Sequence, residues 1–268
     1  MPDQKPNPQS YLTPIAIIVA GILVAGAVVI KDQVQIKFGG NNQNVAGDQT
    51  AKNPADTTNQ QPKADLSALP PIAADAIYGN KNAKVKVTVF SDFACPYCAA
   101  AAGLNESVMT SLKSSYAGWE PVIPGLLKYY VETGKIALIY REFPIHAAKQ
   151  DGTLNTNSPV FKSAEAVQCA AEQGKYEEMS QKLFATPTDW ESLAAAEVIN
   201  KFVSYGNDLG INIGDCLKTG KHIADVTADY NAGKKLLVTG TPTFFVNDTA
   251  VVGAQPYSEF KKQIDALL

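Results

Sequence analysis

The hydrophobic pattern changes character twice along the chain. Residues Pro14 to Ile30 are an unbroken, uncharged apolar run of 17, closed by Lys31-Asp32. That is just long enough to cross a bilayer as a helix, and it lacks the polar face of a core helix. A cleaved secretory leader is the alternative: Ala25-Gly26-Ala27 offers a small-residue cleavage site, although Met1 to Leu12 is a weakly basic start. From Lys31 to about Leu69 large apolar residues nearly vanish among Asn, Gln, Asp, Thr, Ala and Lys, the mark of a flexible tether. The pattern then becomes periodic. The expected division is an N-terminal tail over 1–13, a transmembrane anchor over 14–30, a linker over 31–70 and one domain over 71–268.

Within the domain, β-branched alternation from Lys84 to Phe90 predicts a strand, and the alanine-rich stretch from Cys95 to about Tyr116 predicts a helix. A helical segment follows from Val122 to Thr133, ending at Gly134, and a strand from Lys135 to Phe143. Lys149 to Pro159 reads as a surface loop. About 90 residues are then almost wholly helical: Val160 to Gln173, Tyr176 to Phe184, Trp190 to Tyr205, and two further segments up to Leu236. The chain closes with a β-rich run from Val238 to Asp248, a short strand from Ala250 to Val252, Gly253 and a terminal helix. The fold class is α/β, with an all-helical insertion at about 145–236.

Composition narrows the function. With 268 residues, 46% of them hydrophobic, the chain can hold one sizeable domain plus extra segments. A formal charge of −3 and the lack of a basic tract argue against nucleic-acid binding. Lysines on the two sides of the apolar run, Lys5 against Lys31 and Lys37, leave its orientation open.

The chemistry-bearing stretch is Cys95-Pro96-Tyr97-Cys98, set where the first strand hands over to a helix. Free N–H groups and the positive end of the helix dipole stabilise a thiolate there, which makes Cys95 the candidate nucleophile and Cys98 the resolving thiol. Pro96 fits an early helix position, where no N–H is needed. Half of a zinc site is the competing reading. Zinc needs four ligands, usually with a second closely spaced pair, whereas the remaining cysteines, Cys169 and Cys216, stand far apart and the only histidines are His146 and His222. No metal and no cofactor is expected. Asp92, three residues before Cys95, reads equally as an influence on the thiol or as a solvated loop acid, and His146 as a hydrogen-bonding histidine rather than a catalyst.

Together with Val238-Thr239-Gly240-Thr241-Pro242-Thr243-Phe244-Phe245, the Cys-x-x-Cys motif resembles the DsbA-like branch of the thioredoxin-fold disulfide oxidoreductases. The resemblance covers about Ala76 to Leu268. It implies a thioredoxin fold with an inserted helical subdomain, Pro242 as a cis proline lying against the cysteine pair, and Thr241 as a substrate-contacting residue. Tyr97 is implied to tune the potential and shape the binding surface. The buried acid that thioredoxin places six residues before its first cysteine is Val89 here, a departure that puts acid–base help at the resolving cysteine in doubt. Four cysteines permit three pairings, and 95–98 with 169–216 leaves a free-standing active pair, a pattern that some DsbA-like proteins share. Two buried free thiols are the alternative. A bridge would close a loop of about 47 residues, worth about 4 kcal/mol in the chain-entropy model, and would suit an oxidising compartment.

The expectation is a monomeric, membrane-anchored, outward-facing oxidoreductase that introduces disulfides into exported proteins. The resemblance implies a quinone-linked membrane partner for reoxidation. An isomerase or reductase of the same fold is the first alternative, and a non-enzymatic thioredoxin-fold chaperone or binding module the second.

Overall fold

The computed structural model describes residues 63–71 and 76–268. The expected tail and anchor, and the expected linker up to residue 62, lie outside the described residues. Among the described residues, no helix is long and apolar enough to cross a membrane.

Five strands form one sheet in the order β1-β3-β2-β4-β5. Its centre is β2 (Val85–Ser91), which pairs parallel with β3 (Ile136–Glu142) and antiparallel with β4 (Thr243–Val246). The edges are β1 (Ile77–Gly79) and β5 (Thr249–Val252). Alternation in β2 divides the core in two. Val87 and Val89, opposite Val246 and Phe244, enter the larger cluster, whereas Phe90, with Phe245 and Phe143, enters a second one on the other face. β2 is buried along almost its whole length, as a central strand covered on both faces requires.

The helices are α1 (Pro96–Ala101), α2 (Glu106–Ser115), α3 (Val122–Leu126, continued as a π turn over Leu127–Val131), α4 (Pro159–Ala171), α5 (Tyr176–Ala185), α6 (Ala195–Asp208), α7 (Gly214–Thr219), α8 (Ile223–Lys235) and α9 (Tyr257–Asp265). The architecture is thus the expected α/β arrangement, with α4 to α8 inserted between β3 and β4.

Four boundaries differ from the sequence reading. The single helix expected from Cys95 to Tyr116 is two helices. Gly103 takes a left-handed φ of +81°, and Asn105 starts α2 by accepting the Val108 N–H at 3.1 Å. The helix expected from Trp190 begins only at Ala195. Trp190 is fully buried with its indole N–H donating to the Leu183 carbonyl, so it anchors the preceding turn. Only Thr243–Val246 of the β-rich run is strand, because Val238 to Pro242 forms a loop beside the cysteines. Finally, the last residues of the expected linker lie on the domain. Lys63 pairs with Asp248, the Ala64 N–H donates to the Asp248 carbonyl, and Arg141 donates to the Pro70 carbonyl. The docked chain therefore begins before residue 71.

Candidate active site

Cys95 is the N-cap of α1, with extended backbone angles (φ −83°, ψ 115°), and Pro96 fills the first helical position. The turn before it is built by Asp92. The Asp92 carbonyl accepts the Cys95 N–H at 3.0 Å, and its carboxylate, buried, accepts from the Ala94 N–H at 2.8 Å. The other carboxylate oxygen accepts from the His146 N–H at 3.0 Å and meets His146 Nδ1 at 2.8 Å. The two residues that the sequence left ambiguous therefore form one clasp, fastening the cysteine loop to the turn after β3. His146 is half-exposed, and its pKa is raised, first by the bond to Asp92 and further by the charges of Asp92, Cys95 and Glu191.

The two thiols have opposite environments. The Cys95 pKa falls to about 6, chiefly because the Cys98 thiol donates to its thiolate, with further donors in the Thr241 hydroxyl and the Cys98 and Tyr97 N–H groups, all working against burial. The Thr241 hydroxyl is buried and makes no hydrogen bond while Cys95 is a thiol, which leaves it to donate to the thiolate. As a thiol, Cys95 donates to the Thr241 carbonyl at 3.2 Å. Cys98 is held well above the usual thiol range by burial and by its neighbour Cys95, despite a hydrogen bond from Ser91. Both thiols are free. Thr241 and Pro242 reach them because the chain loops back after α8, and the Thr241–Pro242 peptide is cis. Tyr97 is half-exposed at the rim. Pairs 95–98 and 241–242 thus meet, while Cys169 and Cys216 are joined to each other in the helical insertion, away from this loop.

One residue was not singled out from the sequence. Glu142, at the end of β3, sits opposite Ser91 in the parallel register and is fully buried. It accepts from the Tyr176 hydroxyl at 2.7 Å and from Gln168 at 3.3 Å. Burial raises its pKa to about 8, with Asp229 and Asp92 adding to the rise and the two hydrogen bonds opposing it. Val89, at the position where thioredoxin carries its acid, is an apolar core residue. The buried carboxylates of this site come instead from Asp92 and from the neighbouring strand. The signal available in the sequence was a charged pair, Arg141-Glu142, inside an otherwise apolar strand. Arg141 is balanced separately, by Asp229 of α8 at 2.6 Å.

Among described residues no group of three metal-binding side chains includes Cys95 or Cys98. The arrangement is suited to thiol–disulfide exchange: of two buried sulfurs, one is acidic and the other resists ionisation.

Comparison with known proteins fits this geometry. The chain is 27% identical over 179 residues to a Na(+)/H(+) antiporter NhaA 3 of Salinispora tropica, covering 65% of this chain and 22% of that one. A Rickettsia conorii chain that carries the name of a protein-disulfide oxidoreductase is 26% identical over 175 residues, covering 65% and 53%. The chain thus spans from about a fifth to about half of the length of these relatives. In structure it resembles oxidised BdbD from Bacillus subtilis, with a TM-score of 0.56 at 16% identity over 76% of this chain and 95% of that one. The profile of the thioredoxin family matches residues 73–266, which hold the whole sheet, the cysteine pair and the proline loop, and on that match the chain belongs to the thioredoxin family.

Proposed function

We propose that this protein is a thiol–disulfide oxidoreductase that acts as a dithiol oxidase on exported proteins. The observation that carries the reading is the asymmetry of the pair, with Cys95 at a pKa of about 6 and Cys98 pushed far above its ordinary value. The name of the Rickettsia conorii relative supports the activity, and the fold shared with BdbD supports the scaffold.

In the oxidised enzyme a substrate thiolate attacks Cys95 Sγ, the S–S bond breaks, and Cys98 leaves with the electron pair and takes up a proton. A second substrate thiolate then attacks the substrate sulfur of the mixed disulfide and expels Cys95. The substrate has lost two electrons, and the enzyme holds them as its dithiol. Cys95 is the better leaving group of the pair because its thiolate is the more stable, and the same stability favours the reduced enzyme and makes the disulfide oxidising. Thr241 and Pro242 flank Cys95, where an extended substrate chain would lie, with Tyr97 at the rim. Anchoring through Pro14 to Ile30 would hold the domain outside the cytoplasm, within reach of a membrane partner that reoxidises it.

The test is the reduction potential of the Cys95/Cys98 couple, from equilibration with glutathione or dithiothreitol buffers. A value toward about −120 mV supports an oxidase, and one near about −270 mV transfers the protein to the reductases.

A further inference from the structure

Helix α4 and its C-cap present Glu165, Cys169 and Glu172 at spacings of four and three residues, hence on one face. Opposite them stand Cys216 of α7 and His222, which precedes α8. Gly220, with a left-handed φ of +64°, ends α7 and turns the chain so that His222 comes back over Cys216. The sulfurs of Cys169 and Cys216 and a ring nitrogen of His222 all lie within 4.8 Å of one another.

The surroundings suit a cation. His222 Nε2 meets Glu172 Oε1 at 3.1 Å, while Nδ1 meets Asp225 at 2.7 Å, which orients the ring toward α4. Glu172 also holds Lys221 at 2.5 Å. Deeper in, the Glu165 side chain is fully buried; Lys162 takes one of its oxygens, and the other, facing Gly220, has no partner. His222 is 12% exposed at its side chain, so an ion can reach it from solvent.

In the present state the two sulfurs are bonded to each other and cannot act as thiolates. We propose that reduction of Cys169–Cys216 opens a zinc site made of both thiolates and the His222 imidazole, with a solvent oxygen as fourth ligand and the Glu172 carboxylate beside it. The step balances as follows: a dithiol reductant supplies two electrons and two protons and leaves as its own disulfide, and Zn²⁺ then displaces the two thiol protons. Two sulfurs, a nitrogen and an oxygen are a normal tetrahedral zinc set, and the Nδ1–Asp225 bond is the kind of outer contact that fixes a zinc-bound histidine. The spacing along the chain gives no hint of this, because the ligands come from three helical segments. The site would make one position exclusive to either a disulfide or a metal ion, and it uses none of the Cys95–Cys98 chemistry.

The experiment uses the full chain with Cys95→Ser and Cys98→Ser, which removes the competing thiols. The protein is compared oxidised and phosphine-reduced, without oxygen, by zinc titration calorimetry, by cobalt(II) absorption and by thermal unfolding with and without zinc. One zinc per reduced chain, none in the oxidised chain, a thiolate-to-cobalt charge-transfer band and a zinc-dependent rise in Tm are expected. His222→Ala should weaken binding by roughly tenfold or more. A folded reduced chain that takes up no stoichiometric zinc overturns the proposal, as does equal uptake by the oxidised chain. So does a reduced chain that unfolds and is not restored by zinc.

Discussion

At the scale of the residue, the site is a set of charge assignments made by burial and by donors. Cys95 is an N-cap whose thiolate is held chiefly by the Cys98 thiol, so alkylation by iodoacetamide should titrate with a midpoint near 6 in the reduced protein and move upward in Cys98→Ala. His146 shares a field with Cys95 through the Asp92 clasp. Because its folded pKa is raised, the stability it adds is complete below about pH 6.5 and fades as pH rises through the folded value. His146→Gln should remove that pH dependence and raise the Cys95 midpoint slightly, an effect that salt weakens because the ring is half-exposed. Glu142 has the opposite sign for stability. A carboxylate raised to about 8 costs nothing below its ordinary range and destabilises the fold increasingly as pH climbs from about 4.5 to 8. In urea unfolding, Glu142→Gln should therefore gain on the wild type by on the order of 2 to 3 kcal/mol between pH 4.5 and 7.

At the scale of the element, the fold depends on close approaches between helices and sheet. On Gly233 of α8, a Cβ would lie 2.6 and 2.7 Å from the Phe143 ring and 3.0 Å from Phe90. Both rings are buried and packed edge to face, so neither can swing aside. Alanine is the better helix former by roughly 1 kcal/mol, yet the clash should dominate, and Gly233→Ala should lower stability by about 1 to 3 kcal/mol. Calorimetry of the variant checks it, and a stabilised protein would mean that α8 shifts freely on the sheet. Elements of this kind were legible where the pattern was long. β2, β3 and α4 fall within a residue or two of their sequence boundaries, because each is a sustained buried pattern. β1 has three residues and no alternation to read, and it exists because β3 offers it an edge.

At the scale of the molecule, the helical insertion is joined to itself by Cys169–Cys216, across a separation of 47 residues from α4 to α7. Replacing both cysteines by alanine should cost about 2 to 4 kcal/mol, measured by urea unfolding. Oxidation of a model dithiol should stay near the wild-type rate, since the Cys95 surroundings involve neither residue. Complete loss of activity in a folded variant would show that the insertion positions the cysteine loop. The coupling between the two parts runs through Glu142, Gln168 and Tyr176, and through the aromatic set Tyr78, Tyr140 and Tyr176.

The sequence by itself determined what local chemistry can determine. A strand leading into Cys95-Pro96-Tyr97-Cys98 places a thiol at a helix start, and a proline-bearing β run after a helical insertion suffices for the resemblance to DsbA-like proteins. What it left open were the relations between distant residues. Asp92 and His146 are 54 residues apart, and only the meeting of β2 and β3 at their ends makes them a pair. Val89 already shows in the sequence that thioredoxin's acid is missing, but Glu142 comes to lie opposite Ser91 through the parallel register of two strands, which no spacing along the chain encodes. The tertiary structure likewise decided the thiol acidities, since a pKa depends on desolvation and on donors delivered from loops far away in the chain.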